Sequence, residues 1–167
     1  NHVAKRAKYP NKPPAFSVVV GQIHATKDKE RVAEGEGYGY GNEPLKIYYK
    51  KWPEHKYGSV FWNYERNLAK ENPDRQDISY SVWGTPWDEA TDPGEQGIAL
   101  DEPFSYEVNV YHNTMYLTFT SERLGTKEFE INLANNINAN GQVDKLDHPN
   151  GYSGDANFFK AGAYDQC

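Results

Sequence analysis

Short runs rich in β-branched and aromatic residues recur along the chain between polar stretches, and within most of them apolar positions repeat every second residue. That period belongs to strands, whose side chains point alternately to two faces. Phe16–His24 is the first, bounded by Pro13-Pro14 upstream and a charged turn, Lys27–Glu30, downstream. Leu45–Lys51 follows, with Lys46, Tyr48 and Lys50 on one face. Phe104–Tyr111 and Met115–Thr120, joined through His112–Thr114, read as a β-hairpin in which Phe104, Tyr106, Val108 and Val110 meet Met115, Leu117 and Phe119. Val60–Tyr64, Ile78–Trp83, Lys127–Leu133 and Asn157–Gln166 are shorter or later strands. Helical character is confined to Tyr64–Lys70, a turn or two that Asn72-Pro73 ends. Gly84–Gly97 and the Asn-, Asp- and Gly-rich Asn135–Asp155 are loops. Many short strands with long loops predict an all-β fold, a jelly-roll β-sandwich.

Composition refines this picture. The 167 residues suit one domain, 1–167, and their 24 aromatic rings (13 Tyr, 7 Phe, 4 Trp) outweigh a single Met and a single Cys. Such rings fit strands and sugar-binding clefts. No run approaches the roughly 18 apolar residues of a membrane span, so no membrane partner is expected, and no nucleic-acid partner either. The net charge of −6 divides into +5 over residues 1–51 and −11 over the rest. A basic first third suits an anionic ligand or a solvated strand face equally well. Cys167, the last residue, reads as a free thiol or as half of a disulfide with a partner elsewhere. Asn1 begins without Met or a signal-like segment, and His2–Lys12 is a basic, Pro-punctuated stretch, so both ends read as cut ends.

Candidate chemistry gathers on two strands. Period two puts Val18, Val20, Gln22 and His24 on one face of the first strand, with Val19, Gly21 and Ile23 on the other. On the last strand it puts Lys160, Gly162, Tyr164 and Gln166 together, the glycine letting a ligand approach the backbone. A hydrogen-bonded core Gln with a satisfied His, and a merely solvated last strand, are the bland alternatives; the second leaves Gly162 and the Lys/Tyr pairing unexplained. Glycosidases need two carboxylates flanking the bond, whereas Glu107 stands alone and Glu89, Asp92 and Glu95 sit in one loop. Amide, ammonium, imidazole and phenol suit instead the removal of a proton α to a carboxylate, which needs the carboxylate neutralised, a base, and an acid for the leaving oxygen. Lys46 and Lys50 would line such a groove, or simply protect an edge strand. Asp144–Gly151 carries ligands for Ca²⁺ but lacks EF-hand spacing and reads as a plain turn. No metal and no cofactor are expected.

Val20-Gly-Gln-Ile-His24 and Phe159-Lys-Ala-Gly-Ala-Tyr-Asp-Gln166 resemble the Gln-Ile-His and Tyr-Phe-Lys-Ala-Gly-x-Tyr-x-Gln signatures of the alginate lyases of polysaccharide lyase family 7. Tyr48–Trp52, Val60–Arg66 and Leu100–Val108 resemble the related family 18 enzymes of marine bacteria. The resemblance spans nearly the whole chain. It implies β-elimination of alginate, with endo action and a secreted or periplasmic location. Gln22 would bind the uronate carboxylate, His24 would act as base or assist it, Tyr164 would be the acid, and Lys160 and Gln166 would position substrate. Ile23 in the first motif goes with guluronate-containing blocks. Two departures stand out: Phe158 replaces the Tyr that opens the second motif, and the family's Arg-x-Glu-x-Arg strand has no match, since Glu65-Arg66 and Glu122-Arg123 are spaced differently. The expectation is therefore an incomplete jelly roll with a concave substrate groove, lacking strands at both ends. A missing segment of the same protein would supply the arginine and a cysteine for Cys167. The rivals are a non-catalytic polyuronate-binding jelly roll and a glycoside hydrolase.

Overall fold

The computed structural model describes residues 15–165. Along it run β1 (Ser17–Lys27), a short helix α1 (Lys29–Ala33), β2 (Leu45–Lys50), β3 (Tyr57–Glu65), β4 (Asp77–Trp83), β5 (Ile98–Ala99), β6 (Phe104–Tyr111), β7 (Thr114–Ser121), β8 (Gly125–Asn132) and β9 (Asp155–Asp165). All pairings are antiparallel. The larger sheet runs in the order β4-β3-β2-β1-β9, with β5 attached to β3, and the smaller in the order β6-β7-β8. Their facing sides make the core of a jelly-roll sandwich. Ile23 and Ala25, Leu45 and Ile47, Val60, Trp62 and Tyr64 on the larger sheet meet Met115, Leu117, Phe119 and Ile131 on the smaller. Each alternates with residues that face outward, which is how lysines and aromatics of the same strands come to line the opposite face.

The hairpin forms in the register read from the period: Tyr106 lies opposite Phe119, Val108 opposite Leu117 and Val110 opposite Met115. His112 and Asn113, both at positive φ (46° and 62°), close it as a two-residue turn. Two readings of the sequence need correction. Tyr64–Lys70 is not helical: β3 runs on to Glu65 and is buried on both faces, so pairing with β4 outweighs local helix preference. The helix lies instead at Lys29–Ala33, where a charged turn was expected, because Asp28 caps it by accepting from the Glu30 and Arg31 N–H groups at 3.1 and 3.2 Å.

The third correction concerns β1. Its register against β2 and against β9 shifts between Val19 and Gly21, so the period of two breaks there. Val19 joins Gln22 and His24 on the outer face, and Val20 turns inward against the core. Tyr106 holds the irregularity from below: its hydroxyl donates to the Val20 carbonyl at 2.7 Å, and its ring fills the space that a Cβ on Gly21 would need.

Candidate active site

A groove of ≈ 700 Å³ opens on the outer face of the larger sheet. Gln22 and His24 from β1, Lys160 and Tyr164 from β9, and Lys46 from β2 line it together. On β9, Lys160 lies opposite Gln22 and Phe158 opposite His24, and, across the register shift, Tyr164 lies opposite Val19. Val19, Tyr48 and Phe61 make an apolar floor, the two rings stacked 4.8 Å apart and 7° from parallel. Burial there pushes the Tyr48 phenol up to about 12 against the opposing pull of Lys46, so this ring stays protonated and serves as floor rather than base.

His24 is held on three sides. Its ring stacks on Phe158 at 5.4 Å, Nδ1 lies 2.9 Å from the Ala25 carbonyl, and Nε2 lies 3.0 Å from Oε1 of Glu43. Both polar contacts face acceptors, so making both at once takes a ring with both nitrogens protonated; a neutral ring donates only one. The Phe158 that departs from the family motif is thus the ring that backs His24. Tyr164 is 66% exposed, its phenol open to a ligand. Gly162, beside it in β9, sits at φ 151°, where a side chain would be strained, and nothing crowds the space above it.

The lysines part company. The Lys46 ammonium, 14% exposed, lies 2.8 Å from Asp77, 3.1 Å from Glu65 and 3.6 Å from Glu43. Burial alone would lower its pKa, but Asp77 and Glu65 outweigh burial and hold it well above the ordinary lysine value. A cation so matched has little left for a uronate. Lys160 makes no ion pair among the described residues; its Nζ stands 5.1 Å over the Phe158 ring at the groove wall. Lys50 shares the face of β2 with Lys46 but lies outside the groove, bonded to the Trp87 carbonyl between the Trp52 and Trp87 rings. Gln166 and Cys167 lie outside the described residues.

Arg66 and Arg123, the two arginines nearest the family's missing pattern, are both committed elsewhere. Arg66 Nε donates to Asp144 at 2.7 Å, and Arg123 grips Glu102 at 2.9 Å together with the Glu95 and Gly97 carbonyls. The acidic loop spends its carboxylates likewise: Asp144 on Arg66, and Asp147 on the Tyr64 hydroxyl at 2.7 Å. The period of two does not flag Glu43 and Asp77. The available signal was electrostatic, since Lys46 on a strand next to a core needs counter-charge, but its partners come from positions that only the fold brings together.

A family model described as alginate lyase matches residues 1–167. An alginate lyase of Klebsiella pneumoniae is 27% identical over 153 residues, 89% of this chain and 41% of that protein. Among solved structures, the exolytic PL7 alginate lyase AlyA5 from Zobellia galactanivorans is 40% identical with a TM-score of 0.71, covering 90% of this chain and 52% of that one. The Klebsiella pneumoniae alginate lyase structure is 27% identical with a TM-score of 0.63, covering 90% of this chain and 45% of that one. The chain thus spans about half the length of these relatives. A match over all 167 residues, with the same sandwich at 40% identity, means that the chain belongs to the alginate lyase family.

Proposed function

We propose that the protein cleaves alginate, the 1,4-linked polymer of mannuronate and guluronate, by β-elimination. One observation carries this reading: a single groove presents an amide (Gln22), an imidazole (His24), an ammonium without a carboxylate partner among the described residues (Lys160) and an exposed phenol (Tyr164). The acids in the same groove are engaged. Glu43 lies on His24, and Asp77 on Lys46 and Asn63. Among the described residues that leaves no pair of carboxylates to flank a glycosidic bond, as hydrolysis requires.

The elimination starts at C5, whose proton is acidified by the adjacent carboxylate once that carboxylate is neutralised. Gln22 and Lys160 hold the carboxylate while the C5–H bond breaks; His24, both of whose ring nitrogens face acceptors, assists the base as the ring stands and becomes the base itself only where Nδ1 leaves the Ala25 carbonyl. The electron pair becomes the C4–C5 double bond, the C4–O4 bond breaks, and Tyr164 delivers a proton to the departing O4. On the epimer whose H5 and O4 share a face, Tyr164 also removes H5. Ile23 in the Gln-Ile-His motif supports action on guluronate-containing blocks.

β9 has a neighbour on one side only among the described residues. A strand of the same protein beyond these residues is proposed to pair there, bringing an arginine to the carboxylate and a cysteine to Cys167. A polymer too large to cross a membrane supports a secreted or periplasmic location. Endo action is proposed from the open groove; the AlyA5 relative is exolytic, so product length decides. The full-length protein given alginate should build up ultraviolet absorbance from unsaturated uronates, with long oligomers first, and Tyr164→Phe should abolish it while oligouronates still bind. Saturable binding without any absorbance change would establish the non-catalytic binding module instead.

A further inference from the structure

Glu43 sits on a segment with little freedom of its own. Before it, Asn42 is buried; its side-chain amide donates to the Leu68 carbonyl at 2.8 Å, and its carbonyl accepts from the Ala25 N–H at 3.1 Å. After it, Pro44 is fully buried. The Glu43 N–H itself donates to Glu65 at 3.3 Å. A fixed backbone therefore carries the Glu43 carboxylate to the edge of His24.

The charges around it point the same way. Glu43, Glu65 and Asp77 surround Lys46, and Arg75 supplies a second cation 2.8 Å from Glu65. Lys46 makes its short contacts with Asp77 and Glu65; Glu43 is the distant one at 3.6 Å, and its own short contact is His24 at 3.0 Å. Three carboxylates against two permanent cations leave one negative charge over, and the imidazole is the group set against it. A carboxylate hydrogen-bonded to one ring nitrogen fixes both the tautomer and the orientation of a histidine.

We propose that Glu43 is a positioning residue for the elimination, holding a proton on His24 Nε2 and the ring plane against Phe158, so that the imidazole meets the substrate in one orientation. The role in turnover rests on the lyase reading above; the hold on the ring does not. Glu43→Gln in the full-length protein should lower kcat on alginate by about thirtyfold with KM within about threefold of wild type. Glu43→Asp should recover part of that loss. In a His24→Ala background the same substitution should cost less than about twofold, because the effect runs through His24. Without substrate, nitrogen NMR of the His24 ring should show a protonated Nε2 in the wild type and a different tautomer balance in Glu43→Gln, and Glu43→Asp serves for this measurement should the Gln variant fold poorly. Unchanged ring signals and unchanged kcat overturn the proposal, as does an equal loss in both backgrounds. Altered ring signals in a protein that performs no elimination overturn the lyase reading and leave the hold of Glu43 on His24 supported.

Discussion

Lys46 and Lys160 both line the groove, on the strands either side of Gln22, and the difference between them is the company each keeps. Lys46 is enclosed by three carboxylates, so removing its charge leaves them facing one another in a half-buried site, a change that costs about 3–5 kcal/mol where a buried pair is broken. Lys160 rests over Phe158 and is matched by no acid among the described residues. Lys46→Met should therefore lower the thermal unfolding midpoint sharply, whereas Lys160→Met should leave the midpoint within error and raise KM for alginate about tenfold, the loss of one charge-assisted contact. Calorimetry and steady-state kinetics on the two variants separate the roles; a stable Lys46→Met with a raised KM would show that Lys46 is the substrate contact after all.

At the scale of elements, the site depends on one break in one strand. The irregularity at Val19–Gly21 carries Gln22 and His24 to the same face as Val19, and Tyr106 in the opposite sheet fixes it. A Cβ at Gly21 would stand 2.7 Å from the Tyr106 ring carbon. Gly21→Ala should cost about 1–3 kcal/mol of stability, the range for overpacking, and reduce activity with it. Tyr106→Phe loses a hydrogen bond worth about 1 kcal/mol but removes the nearest clashing atom, so the double variant should cost less than the two single losses combined. Denaturant unfolding of the three variants decides this, and strict additivity would mean that the two residues do not meet. The strands were legible because burial on one face imposes a period of two, and the β6–β7 hairpin was legible down to its register. The irregularity was not, because an inserted residue carries no hydrophobic signature and Val20 is apolar on either face. Gln22, His24, Lys160 and Tyr164 could be read from their motifs, but Glu43 could not, since its meaning comes from a ring nineteen residues earlier that only the fold brings within 3.0 Å.

Over the whole molecule, polar groups taken into the interior tie the long loop before β9 to the sheets. Burial pushes the carboxyls of Asp147 and Asp155 up, against donors that include the Tyr64 hydroxyl for Asp147 and Asn67 for Asp155. A carboxyl whose folded pKa exceeds its unfolded value, about 4, binds a proton more readily when folded, so its contribution favours the folded state as pH falls and is lost as pH rises through the raised value. Asp147→Asn should accordingly flatten the fall in stability as pH rises above about 4, the unfolded value, seen as a smaller shift in the urea midpoint; an identical shift in the variant would mean that Asp147 titrates normally. Beyond stability, the proposed function turns on how the glycosidic bond would be broken. Elimination breaks the C4–O4 bond without adding water, whereas hydrolysis places a solvent oxygen in the product. Alginate digested by the full-length protein, with the oligouronates weighed by mass spectrometry, is the most direct test: products one water lighter than hydrolysis products, carrying the C4–C5 double bond, are expected, and products of full hydrolytic mass without that double bond would contradict the account.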